Sequence, residues 1–191
     1  MSRLNQVDGV PPIRTERLEL ISFSPAFMRA VLARDMGAAE ADLGAGIPRD
    51  LRERLGGLFE TRVAEIAADP SIRPWVARGM VLTDDLGVRR LVGSVGFHGP
   101  PDAKGRAEIG YHVEPNFRRR GLAIEAVRAL LDWASREHDI RSFRASIAPT
   151  NAPSVAVVNR LGFLQKGSHW DDEDGEELIF ERDNWIIEAA G

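Results

Sequence analysis

The sequence predicts an α/β (α+β) fold on a mixed central sheet, and three observations carry that expectation. Short runs with apolar residues at alternate positions crowd the middle of the chain, as half-buried strands require. Segments with apolar residues three and four apart interrupt them without strict βαβ alternation. The 191 residues, 43% hydrophobic and 28% charged, suffice for the core of one domain.

Composition narrows the function. There is no cysteine, which excludes disulfide scaffolds, zinc–thiolate sites and cysteine nucleophiles. The net charge of 25 − 29 = −4 argues against a general nucleic-acid binder. No apolar run approaches 18 residues, and the polar stretch Met1–Pro12 has no signal-peptide core. The expectation is a cytoplasmic protein with neither a membrane nor a nucleic-acid partner.

In chain order, Met1–Pro12 reads as a flexible tail and 13–191 as a single domain. Leu18–Phe23 alternates and predicts a first strand, after which Ser24-Pro25 opens a short helix to about Arg34. Met36–Ile47, rich in Gly and Ala, predicts a loop. In Pro48–Ala68, Leu51, Leu55, Leu58, Arg62 and Ile66 follow helical spacing, although Gly56-Gly57 costs roughly 1 kcal/mol per glycine and suggests a kink or two helices. Trp75–Leu82 and Arg89–Phe97 flank the turn Asp84–Gly87 and predict a hairpin; Ala107–Val113 is the next strand. A helix over Gly121–His138 follows, with Ala123, Ala126, Val127, Leu130, Leu131 and Ala134 on its apolar face. Phe143–Ala148 reads as a strand, Pro153–Leu161 as a helix, and Phe163–Trp170 with Glu177–Arg182 as a hairpin.

Chemistry concentrates at Glu114–Ala123, between a strand and an amphipathic helix. A strand-to-helix turn aims unpaired N–H groups, backed by the helix dipole, at an anion. Gly121 and Ala123 lack bulk, and Arg118, Arg119 and Arg120 add cationic donors, so the segment reads as a pyrophosphate site. It is neither G-x-G-x-x-G nor a Walker loop. The competing interpretation is an ordinary helix start with a solvated arginine run.

Arg118-x-x-Gly121-x-Ala123 resembles the Q/R-x-x-G-x-G/A signature of the GCN5-related N-acetyltransferase (GNAT) superfamily. Three further segments resemble its ribosomal-protein N-acetyltransferase (RimJ/RimL-type) branch in order and spacing. They are Arg14-Thr15-Glu16-Arg17-Leu18-Glu19-Leu20, Ala107–Tyr111, and Asn151-x-x-Ser154 followed by Asn159-Arg160-Leu161-Gly162-Phe163. The resemblance implies a twisted sheet of about seven strands, splayed between the fourth and fifth to admit acetyl-CoA as co-substrate. It implies that main chain near Val113 pairs with the pantetheine, that Arg118, Arg119, Arg120, Gly121, Leu122 and Ala123 hold the pyrophosphate, and that Asn151 and Ser154 lie near the thioester. The implied reaction is direct attack of an amine on acetyl-CoA in a ternary complex, with no metal.

Alternation puts Glu108, Gly110 and His112 on one strand face, opposite Ala107, Ile109 and Tyr111. Glu108, beside a glycine gap on the strand bordering the co-substrate, is the expected base, directly or through water; it is otherwise a solvent-facing strand glutamate. His112 is a rival base. His98, His138 and His169 stand apart with no metal-ligand spacing. Ser154 is the expected partner of the departing thiol, or else a helix cap. Many superfamily members carry a tyrosine acid where this chain has Val158. The run Asp171–Glu177 holds six carboxylates, read as a solvated turn or as an attractor of cationic amines. The acceptor is a protein N-terminus or a small-molecule amine, and homodimers are common in the superfamily. Acyl donors such as succinyl-CoA remain open. The alternative is a non-catalytic acyl-CoA sensor, which would survive loss of Glu108 and Ser154.

Overall fold

A computed structural model describes residues 9–172 and 175–187. The expected tail therefore lies mostly outside the described residues, as do Glu173 and Asp174 of the acidic run. Eight strands form one sheet in the order β1-β2-β3-β4-β5-β6-β8-β7. They are β1 (Ile13–Arg14), β2 (Leu18–Ser22), β3 (Arg78–Thr83), β4 (Arg89–Phe97), β5 (Arg106–Val113), β6 (Ser142–Ile147), β7 (Leu164–Asp171) and β8 (Gly175–Arg182). The strand beyond the expected seven is the two-residue edge β1. All neighbours are antiparallel except β5 and β6, which are parallel.

Helices cover the two faces unequally. On one face α4 (Leu122–His138) and α5 (Ala152–Arg160) bury Val127, Leu130, Leu131 and Val158 against Val92, Val95, Ile109, Phe143 and Phe180. Ala123, expected on the apolar face of α4, is instead half-exposed, because it sits in the first turn beside the surface loop. On the other face α1 (Pro25–Leu32), α2 (Met36–Leu43) and α3 (Leu51–Ala68) pack over β2–β4. Phe23 stacks on Phe27 at 4.7 Å between ring centroids, and Phe59 of α3 meets both edge-on. That half-sheet is sandwiched, while among the described residues no helix lies over the same face of β6, β7 and β8.

Two local expectations are corrected. Met36–Ile47 contains α2, because Asp35 caps its start by accepting from Ala38 N–H and Gly44 closes it in the left-handed conformation at φ 68°. Gly56-Gly57 does not break α3. Gly56 is buried, and a Cβ there would already touch Leu32 at 3.9 Å, so close packing against α1 outweighs the propensity cost.

Candidate functional site

The parallel β5–β6 ladder is short. It pairs Arg106, Ala107 and Glu108 with Ser142, Phe143 and Arg144, and there it stops, although β5 continues to Val113 and β6 to Ile147. Main-chain groups alternate sides along a strand. Glu114 N–H and Glu108 C=O bond on the β4 side, to Val92 O and from His98 N–H, so those of Tyr111 and Val113 face the opening between β5 and β6. This is the splay expected between the fourth and fifth strands; β1 raises their numbers by one.

Across the opening stands the start of α5. Asn151 is its cap, with Oδ1 accepting from Ser154 N–H at 3.3 Å. Ser154 is therefore not the cap, and its half-exposed hydroxyl lies beside the Tyr111 phenol. Tyr111 spans the back of the opening, donating its phenol to Ser154 O at 3.0 Å. Burial pushes that phenol up to about 12 against a smaller opposing effect of the Ser154 side chain, so it stays a protonated donor.

At the end of β5 a 3₁₀ turn, Pro115–Phe117, leads into the arginine loop. Arg119 has φ 59°, and Gly121, the first residue before α4, has φ 78°, which glycine adopts without strain. Because no side chain caps α4, its leading N–H groups, those of Leu122 and Ala123 among them, are available to an anion. Leu122 is buried and offers only its main chain. The exposed arginines brace the loop: Arg118 Nε donates to Val113 O at 2.9 Å, and Arg120 donates to Asn116 O while lying over Phe117. Arg17 Nη1 donates to Arg120 O from behind.

Sequence reasoning assigned nothing to Glu125, yet it organises this end of the site. Thr15 Oγ1, Arg17 N–H and Arg17 Nε all donate to its carboxylate, at 2.5, 2.9 and 2.7 Å. Burial works to raise the carboxyl's pKa, but these bonds together hold it below the usual range. The Arg14–Leu20 motif thereby clamps the chain's beginning to the first turn of α4.

On the open face, Glu108 Oε1 accepts from Ser146 Oγ of β6 at 2.6 Å, and His98 Nδ1 lies 4.0 Å from the same oxygen. Sequence reasoning missed both partners. Ser146 comes from a crossover register no local pattern encodes. His98 was legible in hairpin arithmetic, since Gly96 pairs with Gly110 and the next partners outward bring His98 to Glu108. His112 is engaged elsewhere: Arg54 Nη1 of α3 lies 3.1 Å from its Nε2, and Arg54 Nη2 donates to Glu114 at 2.6 Å. Since Arg54 can only donate, Nε2 accepts. Burial lowers the pKa of His112, opposed by Glu114 and reinforced by Arg54, so the ring is a neutral clamp.

Together these groups make a slot edged by main-chain donors and acceptors, an anion cradle at one end, and a carboxylate at the point where the strands part. Among the described residues no group of three or more His, Asp or Glu could hold a metal ion.

The family model described as "Acetyltransferase (GNAT) domain" matches residues 27–164. An uncharacterized N-acetyltransferase, p20, of Bacillus licheniformis is 35% identical over 91 residues, 48% of this chain and 51% of that protein. The chain spans about half the length of the curated relatives it matches. Among solved structures, the ribosomal-protein-S5-alanine acetyltransferase of Vibrio fischeri superposes with a TM-score of 0.62 at 14% identity, covering 93% of this chain and 99% of its own. RimL, the ribosomal L7/L12 α-N-protein acetyltransferase solved with coenzyme A, gives 0.61 at 17%, covering 90% and 97%. At these identities the likeness is one of fold.

Proposed function

The chain belongs to the GNAT acetyltransferase family, and from that premise we propose that it transfers an acetyl group from acetyl-CoA to a primary amine, a protein N-terminus or a small molecule. The observation that carries this is the coincidence of the β5–β6 opening with the uncapped start of α4 behind Arg118, Arg119, Arg120 and Gly121. Pantetheine, with its two amides, matches the main-chain edge at Tyr111 and Val113, and the pyrophosphate matches the N–H cradle at Leu122 and Ala123. Asn151 and Ser154 stand across the slot from that edge.

In the reaction the amine nitrogen attacks the thioester carbonyl, loses a proton, and the C–S bond breaks with its electrons on sulfur. An α-amine has an ordinary pKa near 8, so a base is useful at neutral pH. Glu108 supplies negative charge and basicity at the parting of the strands, directly or through a group between it and the amine. The hydroxyl of Ser154, half-exposed across the slot, would donate to the departing thiolate.

Two measurements test this. Acetyl-CoA at 100 times its Kd should stabilise the protein by about 2.7 kcal/mol, roughly 5–10 °C in Tm for a domain of this size. Ala123→Glu should abolish the shift while folding normally, because an acid in the first helical turn favours the helix but repels phosphate. CoA release should then appear with some member of a panel of amines and N-terminal peptides, and Glu108→Gln should reduce kcat by roughly 10²-fold with acetyl-CoA affinity retained. Binding without turnover on any amine would favour a sensor.

A further inference from the structure

Beyond the last rung of the β4–β5 ladder, His98 N–H still donates to Glu108 O at 2.8 Å, so the two side chains leave the sheet on the same face. The imidazole is strung between two features. Its Nδ1 lies 4.0 Å from Glu108 Oε1, and its Nε2 lies over Gly110, where a Cβ would sit 3.0 Å away. Gly110 thus leaves the space the ring occupies, on the strand that borders the opening. Glu108 is in turn fixed by Ser146. Other charged groups on this face are Arg106, bound to Glu181, and Arg144, opposite Glu108 on β6; farther along β5, Arg54, Asp50 and Glu114 surround His112.

We propose that His98, rather than Glu108, takes the proton from the acceptor amine, at Nε2, with Glu108 orienting the imidazole and stabilising its charged form. The assignment rests on the acetyl-transfer reading above. The Glu108 oxygen nearest the imidazole already accepts from a serine hydroxyl, whereas imidazole is the side chain that most often takes a proton in general base catalysis. With the ring 60% exposed, a modest swing closes the 4.0 Å separation. As the N–C bond forms, the amine proton passes to Nε2. The C–S bond then breaks, the imidazolium returns its proton to solvent, and the thiolate takes one from solvent.

The experiment uses the intact chain and whichever amine gives turnover. His98→Ala should lower kcat about 10²-fold, leave the acetyl-CoA-induced Tm shift intact, and recover activity on addition of imidazole. Gly110→Ala, whose methyl group displaces the ring, should lower kcat in the otherwise unaltered protein but add nothing in the His98→Ala background. A kcat within threefold of the unaltered protein in His98→Ala overturns the proposal. So does an absence of imidazole rescue, or a Gly110→Ala effect of equal size in both backgrounds. If the unaltered chain binds acetyl-CoA yet releases CoA with no amine, the acetyl-transfer reading fails, and the role of His98 falls with it.

Discussion

Arg78 shows how much a single side chain can hold through main-chain carbonyls. It is fully buried in β3, and its hydrogen bonds run to the carbonyls of Pro11 at 3.3 Å, Leu20 at 3.5 Å and Pro74 at 2.9 Å, with Trp133 stacked 5.0 Å away. Burial, with a smaller contribution from Arg73, lowers the guanidinium to about 10, well short of deprotonation at neutral pH. Arg78→Ala would open a cavity and strand those carbonyls. The expected loss is about 3 kcal/mol, seen as a fall of roughly 6–12 °C in Tm by calorimetry; a change under 2 °C would show that the clamp is idle. The strand alternation that makes Glu108 legible says nothing of this role, because Arg78 binds carbonyls from three separate segments. His98 lies between those cases, since its neighbour is local in the hairpin but its chemistry depends on Gly110 having no side chain.

Glu125 and His112 each tie one element to another, and each predicts a measurable consequence. Glu125 connects the Thr15–Arg17 segment to α4, and through Arg17 to the loop carbonyl of Arg120. Glu125→Gln keeps the shape but removes the charge behind these bonds. It should lower Tm by several degrees and weaken acetyl-CoA binding several-fold, with kcat at saturation unchanged. Equal binding in the variant would separate the clamp from the arginine loop. His112 joins β5 to α3 through Arg54. Its folded pKa lies below the ordinary 6.5, so the stabilisation from the neutral ring is complete above 6.5 and is lost as pH falls through the lower folded value. The Tm difference between about pH 7.5 and about pH 5 should therefore shrink in His112→Gln, which retains an acceptor for Arg54; an unchanged difference would assign the pH sensitivity elsewhere. Element boundaries from periodicity hold to within a few residues for α4, β4 and β5. The missed helix α2 depends on a cap and a left-handed glycine rather than on an apolar stripe.

Across the molecule, charge is distributed more unevenly than the net −4 suggests. Arg118, Arg119 and Arg120 crowd one end of the slot. Asp171, Asp172, Glu176 and Glu177 flank the tip between β7 and β8, where Glu177 lies 3.7 Å from His169. The register of β6 with β8 places Glu177, Ile179 and Glu181 on the face that carries Ser146 and Arg144, which no helix among the described residues covers. Exchanging the carboxylates of Asp171–Glu177 for amides should raise KM for a cationic amine at low salt and leave acetyl-CoA affinity unchanged. An unchanged KM at low salt would limit these acids to solvation.

Local sequence by itself determined the strands, the long helices, the anion cradle and the strand face bearing Glu108, because these follow from periodicity, glycine and charge within short windows. Only tertiary structure decided where β5 and β6 part, which carbonyls Arg78 holds, that Glu125 is the anchor of the Arg14–Leu20 motif, and that Ser146 and His98 meet Glu108. Those contacts join segments up to 110 residues apart, and their geometry is fixed by sheet register and by which face the helices leave uncovered.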